Sequence, residues 1–211
     1  MPPEDDGRPS ALVPESLTEP AGALDVGDRA PDAALLDPTD GGIVMLSSFW
    51  RERNAVVVFL RYFGCPFCQA QVATLQEDRE RFERTGASIV LVGHGGREHA
   101  TSFRETKRLL FPLLLDPSRA AYRAYGLVQG KLMQVMGPRV TLPFLKNNLH
   151  AETRQRGLRG GDFFQMPGTF VVDSSGVIRA TEGIVRYAHR NRHVADSPSN
   201  EGILDVLERL A

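Results

Sequence analysis

Cys65-Pro66-Phe67-Cys68 contains the only two cysteines of the chain, and its place in the sequence constrains the fold more than any other feature. It lies where the apolar run Ala55-Val56-Val57-Val58-Phe59-Leu60 gives way to a helical pattern. In that pattern Cys68, Val72, Leu75 and Phe82 recur on one face. An unbroken apolar run of this length predicts a strand buried on both faces, as in a parallel sheet. The cysteine pair is then expected at a strand-to-helix turn, with Cys65 at the mouth of the helix and exposed. Free N–H groups and the positive end of the helix dipole favour a thiolate there, and the thiolate is the reactive form. Pro66 suits the first helical turn, where its missing N–H costs nothing. The pattern predicts thiol redox chemistry.

Two other readings use the same residues. A C-x-x-C pair opens many zinc sites, and His189 and His193 have an H-x-x-x-H spacing. They follow the cysteines by more than a hundred residues, far beyond the spacing of a finger. Alternatively, both cysteines are inert core residues, although chance seldom sets two at this spacing on a helix N-terminus. No metal and no cofactor are expected.

The 211 residues suit one well-packed domain. A net charge of −1 gives no reason to expect nucleic acid or an anionic membrane as partner. No apolar run approaches the length of a bilayer span. The start, Met1-Pro2-Pro3-Glu4-Asp5-Asp6, is acidic and lacks the apolar core of a secretory signal. The expected location is cytoplasmic, where the cysteines rest reduced and any disulfide is transient and catalytic.

Residues 1–23 contain five prolines and no aromatic residue, so a disordered tail is expected there, with one domain over 24–211. After the turn at Asp40-Gly41-Gly42, Ile43 to Leu46 reads as a short strand. The helix after the cysteines runs to about Arg84 and stops at Gly86. Ser88 to Val92 reads as a second buried strand, which completes a parallel βαβ unit. A helix over roughly 97–109 follows, then a strand at Leu113-Leu114-Leu115. Asp116-Pro117 caps a helix that runs to Tyr125. Residues 127–165, with an arginine-rich stretch from Lys146 to Arg159, are expected as partly helical connections over one end of the sheet. Thr169–Asp173 and Val177–Ala180 read as a hairpin about Ser174-Ser175-Gly176. A final helix carries Ile203, Val206, Leu207 and Leu210 and opens at Ser197-Pro198.

Smaller signals add little. Gly93-His94-Gly95-Gly96 lacks the Lys and Ser/Thr of a phosphate-binding loop and reads as a strand-to-helix connection. Arg186, His189, Arg190, Arg192 and His193 form a basic cluster, either a solvated surface or a docking site for an acidic partner. His94 and His150 are candidate bases, but no spacing brings them to the cysteines. Trp50 reads as core.

Three motifs in order carry a resemblance to a known family. Gly27-Asp28-Arg29-Ala30-Pro31-Asp32 is similar to the G-x-x-A-P-D segment that precedes the first strands of redoxins. Phe59-Leu60-Arg61-Tyr62-Phe63-Gly64-Cys65-Pro66-Phe67-Cys68 resembles the strand and active-site turn of the peroxiredoxin-like 2 family, selenoprotein U type included. Met166-Pro167-Gly168-Thr169-Phe170-Val171-Val172-Asp173 resembles the redoxin strand Pro-x-Thr-Phe followed by apolar residues and Asp. Together they cover about residues 24–211 and resemble the AhpC/TSA branch of the thioredoxin superfamily.

The resemblance implies an α/β thioredoxin-like fold, a central mixed β-sheet flanked by helices. It implies catalysis by Cys65 and Cys68, with Arg61, Pro167 and Thr169 in support. Pro167 takes the place of a cis-proline facing the cysteines, and Arg61 either lies near the thiolate or points to solvent. The implied partners are a peroxide or disulfide substrate and an external dithiol reductant of thioredoxin or glutaredoxin type. Typical peroxiredoxins carry a Thr or Ser three residues before the reactive cysteine. Here that position is Cys65 or Tyr62, depending on the register. The leading reading is peroxide reduction, with disulfide reduction or a redox switch without turnover as alternatives. In the dithiol mechanism Cys65 attacks and Cys68 resolves; in the peroxiredoxin register the roles swap.

Overall fold

Every residue of Ala55–Phe59 is buried, and the alternation of side chains along this segment divides the protein into two apolar layers. Val56 and Val58 face one layer, and Ala55, Val57 and Phe59 face the other. Burial on both faces is what the unbroken apolar run demands, since neither side can be left to water. The computed structural model describes residues 24–136, 161–174 and 182–211. Four of the expectations fall outside them: the tail over 1–23, the stretch Lys146–Arg159, His150 and the strand at Val177–Ala180.

The strands, in chain order, are β1 (Ala34–Leu36), β2 (Ile43–Met45), β3 (Ala55–Phe59), β4 (Ser88–Gly93), β5 (Leu113–Leu115), β6 (Gly168–Asp173) and β7 (Ile184–Arg190). They form one mixed sheet in the order β2-β1-β5-β4-β3-β6-β7. β4 pairs in parallel with β3 and with β5, and the other pairings are antiparallel. The helices are α1 (Pro66–Glu77), α2 (Arg79–Arg84), α3 (Arg97–Lys107), α4 (Ala120–Ala124), α5 (Leu132–Met136) and α6 (Asn200–Glu208). Val72 and Leu75 of α1, Phe103 of α3 and Ile203, Leu204 and Leu207 of α6 pack on one face of the sheet. Trp50, Tyr122, Tyr125 and Phe170 fill the other layer around Phe59. Among the described residues no helix is long and apolar enough to cross a membrane.

Several expected elements are corrected. The long helix after the cysteines breaks at Asp78, where the start of α6 intrudes. Asn200 Nδ2 donates to the Thr74 carbonyl at 2.9 Å and to Asp78 Oδ2 at 2.8 Å, so the turn tightens and α2 starts afresh. Leu46 leaves the strand and opens a 3-10 turn, Leu46–Phe49, which buries its side chain. The final helix is capped by Ser199, whose hydroxyl accepts from the Gly202 N–H at 3.3 Å, rather than by Ser197.

On the side away from β3, β6 pairs with β7, with Phe170 opposite Ala188. The basic cluster is thus largely an edge strand, where charged side chains discourage further strand pairing. Its charges are also committed within the fold. Arg186 pairs with Asp173, Arg190 reaches the carbonyls of Tyr125 and Leu24, and Arg192 pairs with Asp196. Asp116 does cap α4 as expected, its carboxylate accepting from the backbone N–H groups of Ala120 and Ala121.

Candidate active site

Cys65 is the N-cap of α1 and has an extended backbone, with Pro66 in the first helical position. The turn that presents it is closed locally. The Cys65 N–H donates to the Tyr62 carbonyl at 3.1 Å, and the buried Gln69 amide donates to the Phe63 carbonyl at 2.9 Å. Cys65 was expected to be exposed. It is 0% exposed and Cys68 is 2%: both lie in the apolar layer that includes Phe63, Phe67 and Met166, and the Arg61 guanidinium reaches Cys65.

Arg61 addresses both sulfurs. Its backbone N–H donates to Cys68 Sγ at 3.3 Å, and its Nη1 lies 4.0 Å from Cys65 Sγ. The guanidinium is itself held. Nε donates to the Phe163 carbonyl at 2.8 Å, Nη2 donates to the same oxygen, and the Phe163 ring centroid lies 4.2 Å from Cζ. At 3% exposure the side chain points into the site and not to solvent.

The two sulfurs are electrostatically unlike. The Cys68 thiol is the main influence on Cys65, bringing it down to about 6 against the opposing effect of burial. The Cys68 backbone N–H and the Arg61 charge add to the lowering. Cys68 moves the other way, raised first by its interaction with Cys65 and then by burial. The opposite shifts favour a thiolate at Cys65 and a thiol at Cys68 near neutral pH.

Thr169 stands opposite Val58 in the β3–β6 ladder and is 1% exposed. Its hydroxyl accepts from Gln71 Nε2 at 3.0 Å, so it anchors α1 to the sheet. Pro167 corrects the resemblance: the described residues contain no cis peptide bond, so the bond to Met166 is trans. Trans is the lower-energy isomer of an X-Pro bond by about 0.5–1 kcal/mol. Flanking backbone bonds, Met166 N–H to Val128 O and Asn191 N–H to Pro167 O, hold the segment in it. The zinc reading is not met. His189 Nε2 lies 2.6 Å from the Asp196 carbonyl, and among the described residues no three metal-binding side chains gather.

Sequence reasoning missed Gln71, Asp162 and Phe163, and it left His94 unplaced. His94 follows β4 directly and contacts the Arg61 carbonyl rather than either sulfur. No periodicity marks such residues, because they meet only when strand ends and loops converge.

The model of the AhpC/TSA family matches residues 26–181, most of the described domain. The chain belongs to the AhpC/TSA family. This AhpC/TSA protein is 26% identical over 209 residues to the chloroplastic thioredoxin-like protein AAED1 of Arabidopsis thaliana, covering 93% of this chain and 80% of that one. It is 24% identical over 201 residues to peroxiredoxin-like 2C of Homo sapiens, covering 94% and 87% respectively. Among solved structures, peroxidoxin BcpB from Mycobacterium tuberculosis superposes with a TM-score of 0.63 at 20% identity, over 89% of this chain and 99% of that one. The fold is thioredoxin-like, and the AhpC/TSA protein is a thiol-dependent peroxidase or oxidoreductase.

Proposed function

We propose that this AhpC/TSA protein reduces peroxides through a Cys65–Cys68 dithiol–disulfide cycle, with Cys65 as the attacking sulfur. The observation that carries the reading is the asymmetric grip of Arg61, guanidinium toward Cys65 and backbone N–H to Cys68. The Cys65 thiolate attacks one peroxide oxygen, the O–O bond breaks, and the leaving oxygen departs as an alcohol or water after taking a proton. Cys65 is then a sulfenic acid. The Cys68 sulfur, one helical turn on, attacks Cys65 Sγ and expels water, which closes the disulfide. An external dithiol of thioredoxin or glutaredoxin type restores both thiols by exchange and leaves with the disulfide. Arg61 stabilises the thiolate, and Thr169 acts through Gln71 on the helix that carries Cys68. Pro167 shapes the segment leading into β6. The reading assumes a reducing compartment such as the cytoplasm, where the pair rests as a dithiol, and one catalytic domain over 24–211 behind a tail of 23 residues.

A second reading, disulfide reduction, draws on the missing Thr or Ser before the reactive cysteine and on Phe163, against Arg61, and Phe164, against Phe163, which are 42% and 39% exposed. Such a surface suits a peptide more than a small peroxide. In that case Cys65 attacks a substrate disulfide and Cys68 resolves the mixed disulfide.

Adding one equivalent of hydrogen peroxide to the reduced protein separates the two. Wild type should lose both thiols quickly and Cys68→Ser should trap a sulfenic acid on Cys65, while Cys65→Ser should react no faster than a free thiol. If wild type itself is that slow, peroxide is not the substrate and disulfide reduction leads. A sulfenic acid trapped on Cys68 instead would reverse the assigned roles.

A further inference from the structure

His94 lies between the main chain of Arg61 and the segment that holds the Arg61 guanidinium. Its Nε2 contacts the Arg61 carbonyl, and its Nδ1 accepts from the Asp162 N–H at 3.4 Å. Only the neutral imidazole with its proton on Nε2 serves both partners, since Nδ1 must offer a lone pair. Asp162 directly precedes Phe163, whose carbonyl accepts from Arg61 Nε at 2.8 Å. One ring thus joins the main chain of Arg61 to the residue beside the carbonyl that aims its side chain. We infer that His94 is a positioning residue that keeps the Arg61 guanidinium directed at Cys65 by tying the backbone just past β3 to the Asp162–Phe163 segment.

The surroundings are built for that ring. A Cβ at Gly161 would lie 2.8 Å from His94 Cε1, so only glycine lets this backbone approach so closely. Tyr122 of α4 packs edge-on against the imidazole with centroids 5.2 Å apart. The charged groups facing it are the Asp162 carboxylate and the Arg119 guanidinium, which pair with each other. Burial, the largest influence, and the Arg119 charge both hold His94 below its ordinary value, in keeping with a neutral ring. His94 reaches neither sulfur directly, so its effect passes through Arg61.

The inference rests on Cys65 being the low-pKa sulfur, and the test reports that separately. In a Cys68→Ser background, iodoacetamide alkylation against pH gives the Cys65 midpoint whether or not peroxide is the substrate. His94→Ala is expected to raise the midpoint by about half a unit to one unit, within the range of charge-driven shifts. His94→Gln, which returns an amide N–H to the Arg61 carbonyl, recovers part of the shift. In an Arg61→Ala background, His94→Ala moves the midpoint no further, because the route is gone. An unmoved midpoint in His94→Ala, or an equal shift with and without Arg61, overturns the inference even where thermal stability falls. Should His94→Ala fail to fold, Gly161→Ala, which crowds the same ring, is read by the same measure, and an unmoved midpoint there overturns the inference too. A midpoint at the ordinary cysteine value in the parent with His94 and Arg61 intact rejects the site reading itself, and this inference with it.

Discussion

Arg61 shows how much one residue can do with two functional groups. Its backbone N–H donates to Cys68 and its guanidinium faces Cys65, so the pair is polarised from a single position. The larger influence on Cys65 is nevertheless the Cys68 thiol, ahead of the Arg61 charge. Cys68→Ala should therefore raise the Cys65 alkylation midpoint more than Cys68→Ser, which keeps a donor, and Arg61→Ala should raise it less than Cys68→Ala. Alkylation rate against pH ranks the three variants. The depressed pKa also links to stability. Between about 6 in the folded chain and 9.0 for the free thiol, the unfolded state binds a proton that the folded state does not. The Cys65 contribution to stability is then complete above about 9 and is lost as pH falls through about 6. Thermal melts of reduced wild type and Cys65→Ser should diverge as pH rises through that window. Parallel curves would show that folding does not depress the Cys65 pKa.

At the scale of elements, the cysteine turn is fixed by how closely β3 and β4 end together. Leu60 N–H donates to the Val92 carbonyl at 2.8 Å, and the Tyr122 hydroxyl lies within reach of the carbonyls of both Leu60 and Val92. One residue further along, Gly93 accommodates the Phe63 ring: a Cβ there would lie 2.6 Å from its Cζ. Phe63 belongs to the turn that delivers Cys65, so crowding it reaches the site. Gly93→Ala is expected to destabilise by about 1–3 kcal/mol, the usual range for overpacking. It should also slow Cys65 alkylation at neutral pH. Urea denaturation and alkylation check the two effects, and an unchanged urea midpoint would mean that the ring rotates away at no cost.

At the scale of the whole molecule, both ends of the described chain are stitched to the sheet. Leu24, 2% exposed, packs in the layer around Phe59, and its carbonyl accepts from Arg190 at the end of β7. At the other end, α6 packs on the opposite layer, and Arg81 of α2 pairs with Glu201. That ion pair is largely exposed and adds little; the buried leucines and isoleucine of α6 hold the helix. Leu24→Ala should cost about 2–5 kcal/mol, as for other large-to-small changes in cores, whereas shortening the chain up to residue 20 should leave the melting temperature unchanged. Calorimetry of both variants tests where the domain begins.

Much of this was legible in the residues themselves. The run Ala55–Leu60 followed by helical spacing requires a buried strand leading into α1, because apolar periodicity and burial share one cause, the removal of side chains from water. The same local logic put Cys65 at a helix mouth and Asp116 at the cap of α4. What the sequence left open depended on distant partners. Whether Arg61 turns inward was decided by the carbonyl of Phe163, 102 residues away. Asn200 broke a helix that its own spacing would have continued, and Ile184–Arg190 paired with β6 although its charges read as surface. The burial of Cys65, the trans bond before Pro167 and the place of His94 between two loops likewise came only from the assembled fold. These features depend on which strand ends and loops meet, and long-range contact leaves no period in the chain.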